Sequence, residues 1–367
     1  MNESKPLGLY IHIPFCRQKC GYCDFYSLSG SDERMDAYCK ALIAHLTETA
    51  PQAAKHSVDT VYFGGGTPSL LGEKRLREIL KCVDKRYRVT KDAEITLEAN
   101  PDSAGDWKAL RALRKAGFNR ISLGMQSADD AELREIGRIH SMDQVRQAVD
   151  AARKARFDNL SLDLIYGLPH QTLELWQRNL EAAIALTPQH LSCYGLKVEE
   201  GTPLYARRET AGLPGDEEQA EMYLAAVETA RRFGFFQYEI SNYASPESVC
   251  RHNLKYWHCE EYLGVGTGAA SYMKTTSSGD YCRLKVITDT KAFSEIDWND
   301  QSSLDKCFME CDILSLQEQM EEMAFLGLRT KEGVRLSSFY ERFGKSFNEV
   351  YGEVVKKYTA MGMMKAD

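Results

Sequence analysis

The 367-residue sequence contains no run approaching the roughly 18 consecutive apolar residues that a membrane-spanning helix needs, and Met1 to Leu9 hold no apolar stretch of signal-peptide length. A membrane-spanning or secreted protein is not expected, and a cytoplasmic location is. Basic charge is not in excess: 46 Lys and Arg stand against 53 Asp and Glu, a net charge of −7, and the basic residues are scattered. That excludes the broad positive surface nucleic-acid binding draws on, so no nucleic-acid partner is expected. No repeat or low-complexity tract interrupts the chain. A paired disulfide framework is missing too, because eleven cysteines is an odd number at irregular spacing and a reducing compartment keeps thiols free. Most of them, including Cys39, Cys82, Cys193 and Cys282, read as small buried hydrophobes.

What is present is alternation. Short β-rich runs at Leu9–Ile13, Thr60–Phe63, Glu94–Glu98, Arg120–Leu123, Asn159–Leu164 and His190–Gly195 are separated by helix-period segments such as the one carrying Leu76, Ile79, Leu80 and Val83. This order predicts an α/β fold, a parallel sheet flanked by helices, and six units rather than eight predict an open, partial (β/α)6 barrel with its chemistry at the strands' carboxyl ends. Beyond about residue 210 the alternation weakens. A helix is expected from Asp216 to Arg232, then a loop-rich stretch to about Asp305, then a helix carrying Met320, Met323 and Leu326 that stops near Gly327. The expected division is 1–210 for the partial barrel, 211–309 for its completion and a ligand-binding region, and 310–367 for a small, mainly helical, winged-helix-like unit.

Polar and glycine-bearing segments fall where the barrel reading puts its rim. Cys16, Cys20 and Cys23 lie within eight residues after the first strand. Three thiolates can hold three corners of a [4Fe–4S] cubane and leave one iron open to an external ligand. Structural zinc is the competing reading; it requires a fourth ligand, and none is evident, since Cys307 and Cys311 read equally well as neighbours on a helix. Gly64-Gly65-Gly66-Thr67-Pro68 follows the second strand and permits close backbone approach to a ligand, but it lacks the lysine of a phosphate-binding loop. Glu98 and Asn100 end the third strand, Gln126 follows the fourth and Asp163 lies near the end of the fifth.

The three-cysteine spacing, with Tyr22 before the last cysteine, resembles the radical S-adenosylmethionine superfamily, and Tyr10 with the glycine loop is similar to its oxygen-independent coproporphyrinogen III oxidase branch. The resemblance implies a [4Fe–4S] cluster on the three cysteines and a cofactor groove for S-adenosylmethionine formed by Tyr10, Tyr22, Gly65, Gly66, Thr67, Glu98, Gln126, Arg138 and Asp163. It also implies reductive cleavage of that cofactor to methionine and a 5′-deoxyadenosyl radical, with the electron drawn from a flavodoxin- or ferredoxin-like reductant.

Two departures bear on function. The oxidase pattern places another cysteine two residues after the third, where this chain has Phe25, and it has a longer extension ahead of Tyr10. The segment Arg251-His252-Asn253-Leu254-Lys255-Tyr256-Trp257 resembles instead the His-Asn-x-x-Tyr-Trp motif of the HemW-type haem chaperones. That implies haem as cargo, with His252, Asn253, Tyr256 and Trp257 as its motif, and delivery to haem-accepting proteins, including acceptors at a membrane surface. The enzymatic alternative is radical decarboxylation of coproporphyrinogen, and a third reading is an iron–sulfur electron-transfer protein.

Overall fold

A computed structural model describes residues 4–275 and 280–365. Among the described residues, twelve strands form one sheet: β1 (Lys5–Ile13), β2 (His56–Gly65), β3 (Val89–Ala99), β4 (Arg120–Gln126), β5 (Asn159–Tyr166), β6 (His190–Gly195), β7 (Phe236–Gln237), β8 (Asn242–Ala244), β9 (Tyr262–Val265), β10 (Ala270–Lys274), β11 (Tyr281–Val286) and β12 (Phe308–Ile313). The helices are α1 (Asp32–Thr49), α2 (Gly72–Arg86), α3 (Trp107–Ala116), α4 (Asp130–Glu135), α5 (Met142–Lys154), α6 (Leu173–Ala185), α7 (Pro203–Ala206), α8 (Asp216–Arg232), α9 (Arg251–Trp257), α10 (Thr290–Ser294), α11 (Gln301–Leu304), α12 (Leu316–Gly327), α13 (Leu336–Phe343) and α14 (Phe347–Ala360).

The strands run β12-β11-β10-β9-β1-β2-β3-β4-β5-β6-β8-β7, so the sheet stays open, and β1 to β6 pair in parallel in chain order. Parallel strands covered on both faces lose the polar alternation of half-exposed ones. All seven residues of β4 are accordingly buried. Helix α2 lays Leu76, Ile79, Leu80 and Val83 on the sheet, the stripe its periodicity predicts. The predicted bounds of α8 also match.

Two expectations are corrected. The stretch read as loop-rich carries five short strands, β7 to β11, which extend the sheet at both edges. Strands of two to six residues are too short for a legible period, and their partners are distant: β9 lies parallel to β1 and β8 antiparallel to β6. Cys307 and Cys311 share no helix. Cys307 ends a short turn and Cys311 is exposed on the edge strand β12, where every residue but Phe308 is exposed and no burial pattern marks it. Because β12 pairs with β11 across residue 310, the helical segment follows from α12 onward. Ser315 and Glu318 cap that helix reciprocally, and Met320, Met323, Phe339 and Phe343 pack with Tyr272 and Cys259.

Candidate functional site

The cysteine loop leaves β1 under tight backbone control. Cys16 N–H donates to Leu28 O (3.0 Å), Leu28 N–H to Pro14 O (2.8 Å), and Phe15 between them is fully buried. Gly21 N–H donates to Ile136 O at 3.0 Å, and Gly137, at φ +78°, lets the two segments approach: a Cβ there would stand 3.1 Å from Gly21 N. All three thiols are free, half-buried and on the wall of one cleft of about 520 Å³. Burial pushes the Cys20 and Cys23 thiols up from their ordinary value.

The glycine loop is hydrogen-bonded to the cysteine loop. Gly66 N–H donates to Ile13 O and Thr67 N–H to Phe15 O, both at 2.8 Å. A Cβ on Gly66 would meet Phe15 O at 2.8 Å, and Gly65 sits at φ +111°. Thr67 Oγ1 lies 3.5 Å from Cys16 Sγ and accepts from Asn100 Nδ2 (3.0 Å); Asn100 Oδ1 accepts from Arg138 Nη1 (3.0 Å), whose Nη2 donates to Tyr22 OH (3.0 Å). Arg138 Nε is buried without a partner, a donor left for a ligand. Gly124 keeps this cluster open, since a Cβ there would lie 2.8 Å from Gln126 Nε2 and 3.0 Å from Asn100 Oδ1.

Two carboxylates also line the cleft. Asp163 accepts from Ser122, Ser161 and Ser192, the last at 2.6 Å, and burial raises its pKa. Glu98 accepts from Tyr62 OH (2.6 Å) and Gly65 N–H (3.1 Å), and burial lifts it to about 7. A carboxyl raised on folding contributes stability that is full below its unfolded value and is lost as pH rises through the folded one. Cofactor-free protein should therefore lose stability relative to Glu98→Gln between about pH 4.5 and pH 7, by at most about 3 kcal/mol, since cleft water screens the group. Urea unfolding across that range checks it; parallel wild-type and variant profiles would refute it.

The predicted residues divide. Tyr22, Gly65, Gly66, Thr67, Glu98, Gln126, Arg138, Asp163 and the three cysteines share the cleft with Asn253. Tyr10 lies behind it, bonded to His12 Nδ1 at 3.0 Å. His252 is 1% exposed, with Nδ1 2.8 Å from Thr60 Oγ1 and Nε2 2.9 Å from Tyr256 OH. Trp257 faces a second cavity of about 300 Å³ against α12 and α13, with Arg329 over its ring at 4.6 Å. Sequence reasoning passed over Ser122, Ser192 and the fully buried Arg120, which also line the cleft. The readable signal was a polar residue inside an otherwise apolar strand.

Cysteines after the first strand, a glycine loop after the second and a carboxylate wall at the carboxyl ends of a parallel half-barrel define a radical S-adenosylmethionine protein. Residues 10–183 match the family model described as the radical SAM superfamily, and residues 314–367 match that of the HemN C-terminal domain. "Heme chaperone HemW" of Bacillus subtilis is 35% identical over 358 residues, 97% of this chain and 92% of that protein. "Radical S-adenosyl methionine domain-containing protein 1, mitochondrial" of Mus musculus is 34% identical over 375 residues, 100% of this chain and 83% of that protein. The chain belongs to this HemW family of radical S-adenosylmethionine proteins. Its fold is that of the Escherichia coli coproporphyrinogen III oxidase HemN, with a TM-score of 0.81 at 23% identity over 98% of this chain and 83% of that one.

Membership of that superfamily implies a [4Fe–4S] cluster and S-adenosylmethionine. The residues fit the pair: three free thiols and a set of polar side chains share one cleft. Among the described residues no three His, Cys, Asp or Glu side chains gather around one point. Among the described residues, no helix is long and apolar enough to cross a membrane.

Proposed function

We propose that this protein binds haem and transfers it to acceptor proteins, with a [4Fe–4S] cluster on Cys16, Cys20 and Cys23 and S-adenosylmethionine along the cleft. Phe25 carries the reading. It is 66% exposed at the cleft mouth, where the oxidase pattern has a further cysteine. A phenyl ring cannot ligate a metal, and an exposed one offers a face to a flat apolar ligand. Full-length relatives named as haem chaperones support the same choice.

Together the cluster and its cofactor supply one-electron reductive cleavage when bound. The chain's own groups hold and orient. Arg138, with a free Nε, suits the cofactor's carboxylate; the Gly65–Thr67 backbone suits its amino-acid end; Glu98 and Asp163 suit ammonium or ribose hydroxyls. A flavodoxin- or ferredoxin-like protein would supply the electron, and haem-accepting proteins, those at a membrane surface included, would receive the cargo. His252 is not offered as the axial ligand, because both its ring nitrogens are engaged and its ring is buried. It fastens α9 to β2.

Haem added to anaerobically reconstituted protein should give a Soret band and pass to an apo-acceptor. His252→Ala should keep the band while losing about 2–3 kcal/mol of stability. An intact cluster with no haem binding sinks the reading, and sustained conversion of coproporphyrinogen to a decarboxylated product would replace it with the oxidase.

A further inference from the structure

One guanidinium in the cleft is left with open donors. Arg120 is 1% exposed and lines the cleft, and its Nε and Nη1 are buried with no hydrogen-bond partner among the described residues. An arginine keeps its charge throughout the ordinary pH range, and a buried charge is costly unless it is paired and hydrogen-bonded. The carboxylates whose charge reaches Arg120 are committed elsewhere. Glu94 accepts from the N–H groups of Arg251 (3.0 Å) and His252 (3.1 Å) at the start of α9, and from Cys250 Sγ. Asp163 accepts from three serine hydroxyls, and Glu98 from Tyr62 OH and Gly65 N–H.

Its position separates Arg120 from the cofactor's amino-acid end. Arg120, Ser122 and Gly124 alternate along β4, and all three line the cleft. Gly124 stands beside Arg138, whose Nη2 lies 3.3 Å from where a Cβ on that glycine would be. Arg120 opens the same strand four residues earlier, roughly 13 Å back toward the inner end of the half-barrel. S-adenosylmethionine brings one carboxylate, which Arg138 suits. Its ammonium and sulfonium are positive, and Arg120 repels both. The open guanidinium therefore calls for an anion from a second ligand. Glu98 and Asp163 border the same space, which favours a monoanion over a phosphate dianion, and the planar fork of an arginine matches a carboxylate.

We propose that Arg120 seats a propionate of the haem cargo at the inner end of the cleft, apart from the cofactor carboxylate at Arg138. The proposal rests on the haem-transfer reading above. Arginine and propionate are both flexible arms, so they can meet while the macrocycle stays toward the mouth, where Phe25 is exposed. Folding has already taken Arg120 out of water. Only the propionate is then desolvated on binding, and the pair forms where charges attract more strongly than in solvent.

The test crosses protein with ligand. Wild type and Arg120→Gln, both reconstituted anaerobically with the cluster, are titrated with haemin and with haemin dimethyl ester, which keeps the macrocycle and lacks the propionate charges; the Soret change gives each Kd. Wild type is expected to bind haemin at least about tenfold more tightly than the ester. Arg120→Gln should remove that preference by weakening haemin binding while the ester's Kd stays unchanged. Arg120→Lys, which keeps the charge without the fork, should retain part of the preference, and it is the variant to read if circular dichroism shows Arg120→Gln unfolded. Equal Kd values for haemin and ester in wild type, or an equal loss for both ligands in the variants, overturns the propionate seat and leaves haem binding standing. Weakened S-adenosylmethionine binding in equilibrium dialysis, with the haemin preference intact, assigns the guanidinium to the cofactor and overturns the seat as well. If wild type binds neither porphyrin, the haem reading falls and the seat with it.

Discussion

Replacing any one of Cys16, Cys20 and Cys23 with alanine is expected to empty the protein of its cluster, taking bound iron after anaerobic reconstitution from about four per chain to near zero. A cubane left with two protein thiolates has two irons open to solvent and thiol exchange, so the loss should far exceed one ligand's share. Fold stability should change little, since the three thiols are half-buried on a loop and their removal opens no core cavity. Cys39→Ala and Cys193→Ala form the control. Those thiols are 5% and 2% exposed in the core, so alanine there should cost about 1 kcal/mol and leave the iron in place. Iron and sulfide analysis with thermal unfolding separates the two sets. Full iron retention in Cys20→Ala would remove the cluster assignment.

Gly264→Ala should cost the most stability of any single alanine substitution named here, at least about 4 kcal/mol, with loss of soluble folded protein as the expected readout. Gly264 lies on β9 opposite Tyr10 of β1. A Cβ there would stand 2.1 Å from Ala270 O and 2.8 Å from its carbonyl carbon, and backbone cannot swing aside as a flexible side chain can. Relief would require β9 and β10 to part at the place where the sheet extends past β1. Gly105→Ala, with nothing within 4 Å of the added atom, should fold normally. Wild-type-like unfolding of Gly264→Ala would show that the β9–β10 turn tolerates rearrangement.

The parallel strands, helix α2 and the rim positions of Cys16, Gly65, Glu98, Gln126 and Asp163 were legible because each rests on local signals: apolar runs between helical stripes, and polar residues at the ends of those runs. The short edge strands were not. β12 exposes nearly its whole length and β7 has two residues, so neither carries a period. Their pairing is a property of what lies beside them.

The three-cysteine loop, and with Phe25 its departure from the oxidase pattern, were determined by the sequence alone, because covalent spacing limits what a short loop can ligate. The roles within the motif of α9 were decided only by the tertiary structure. The two turns of α9 turn Asn253 to the cleft, bury His252 between Thr60 and Tyr256, and point Trp257 at the C-terminal helices. A helix points successive side chains in different directions, and which surface meets each direction is set by strands and helices far away in the chain.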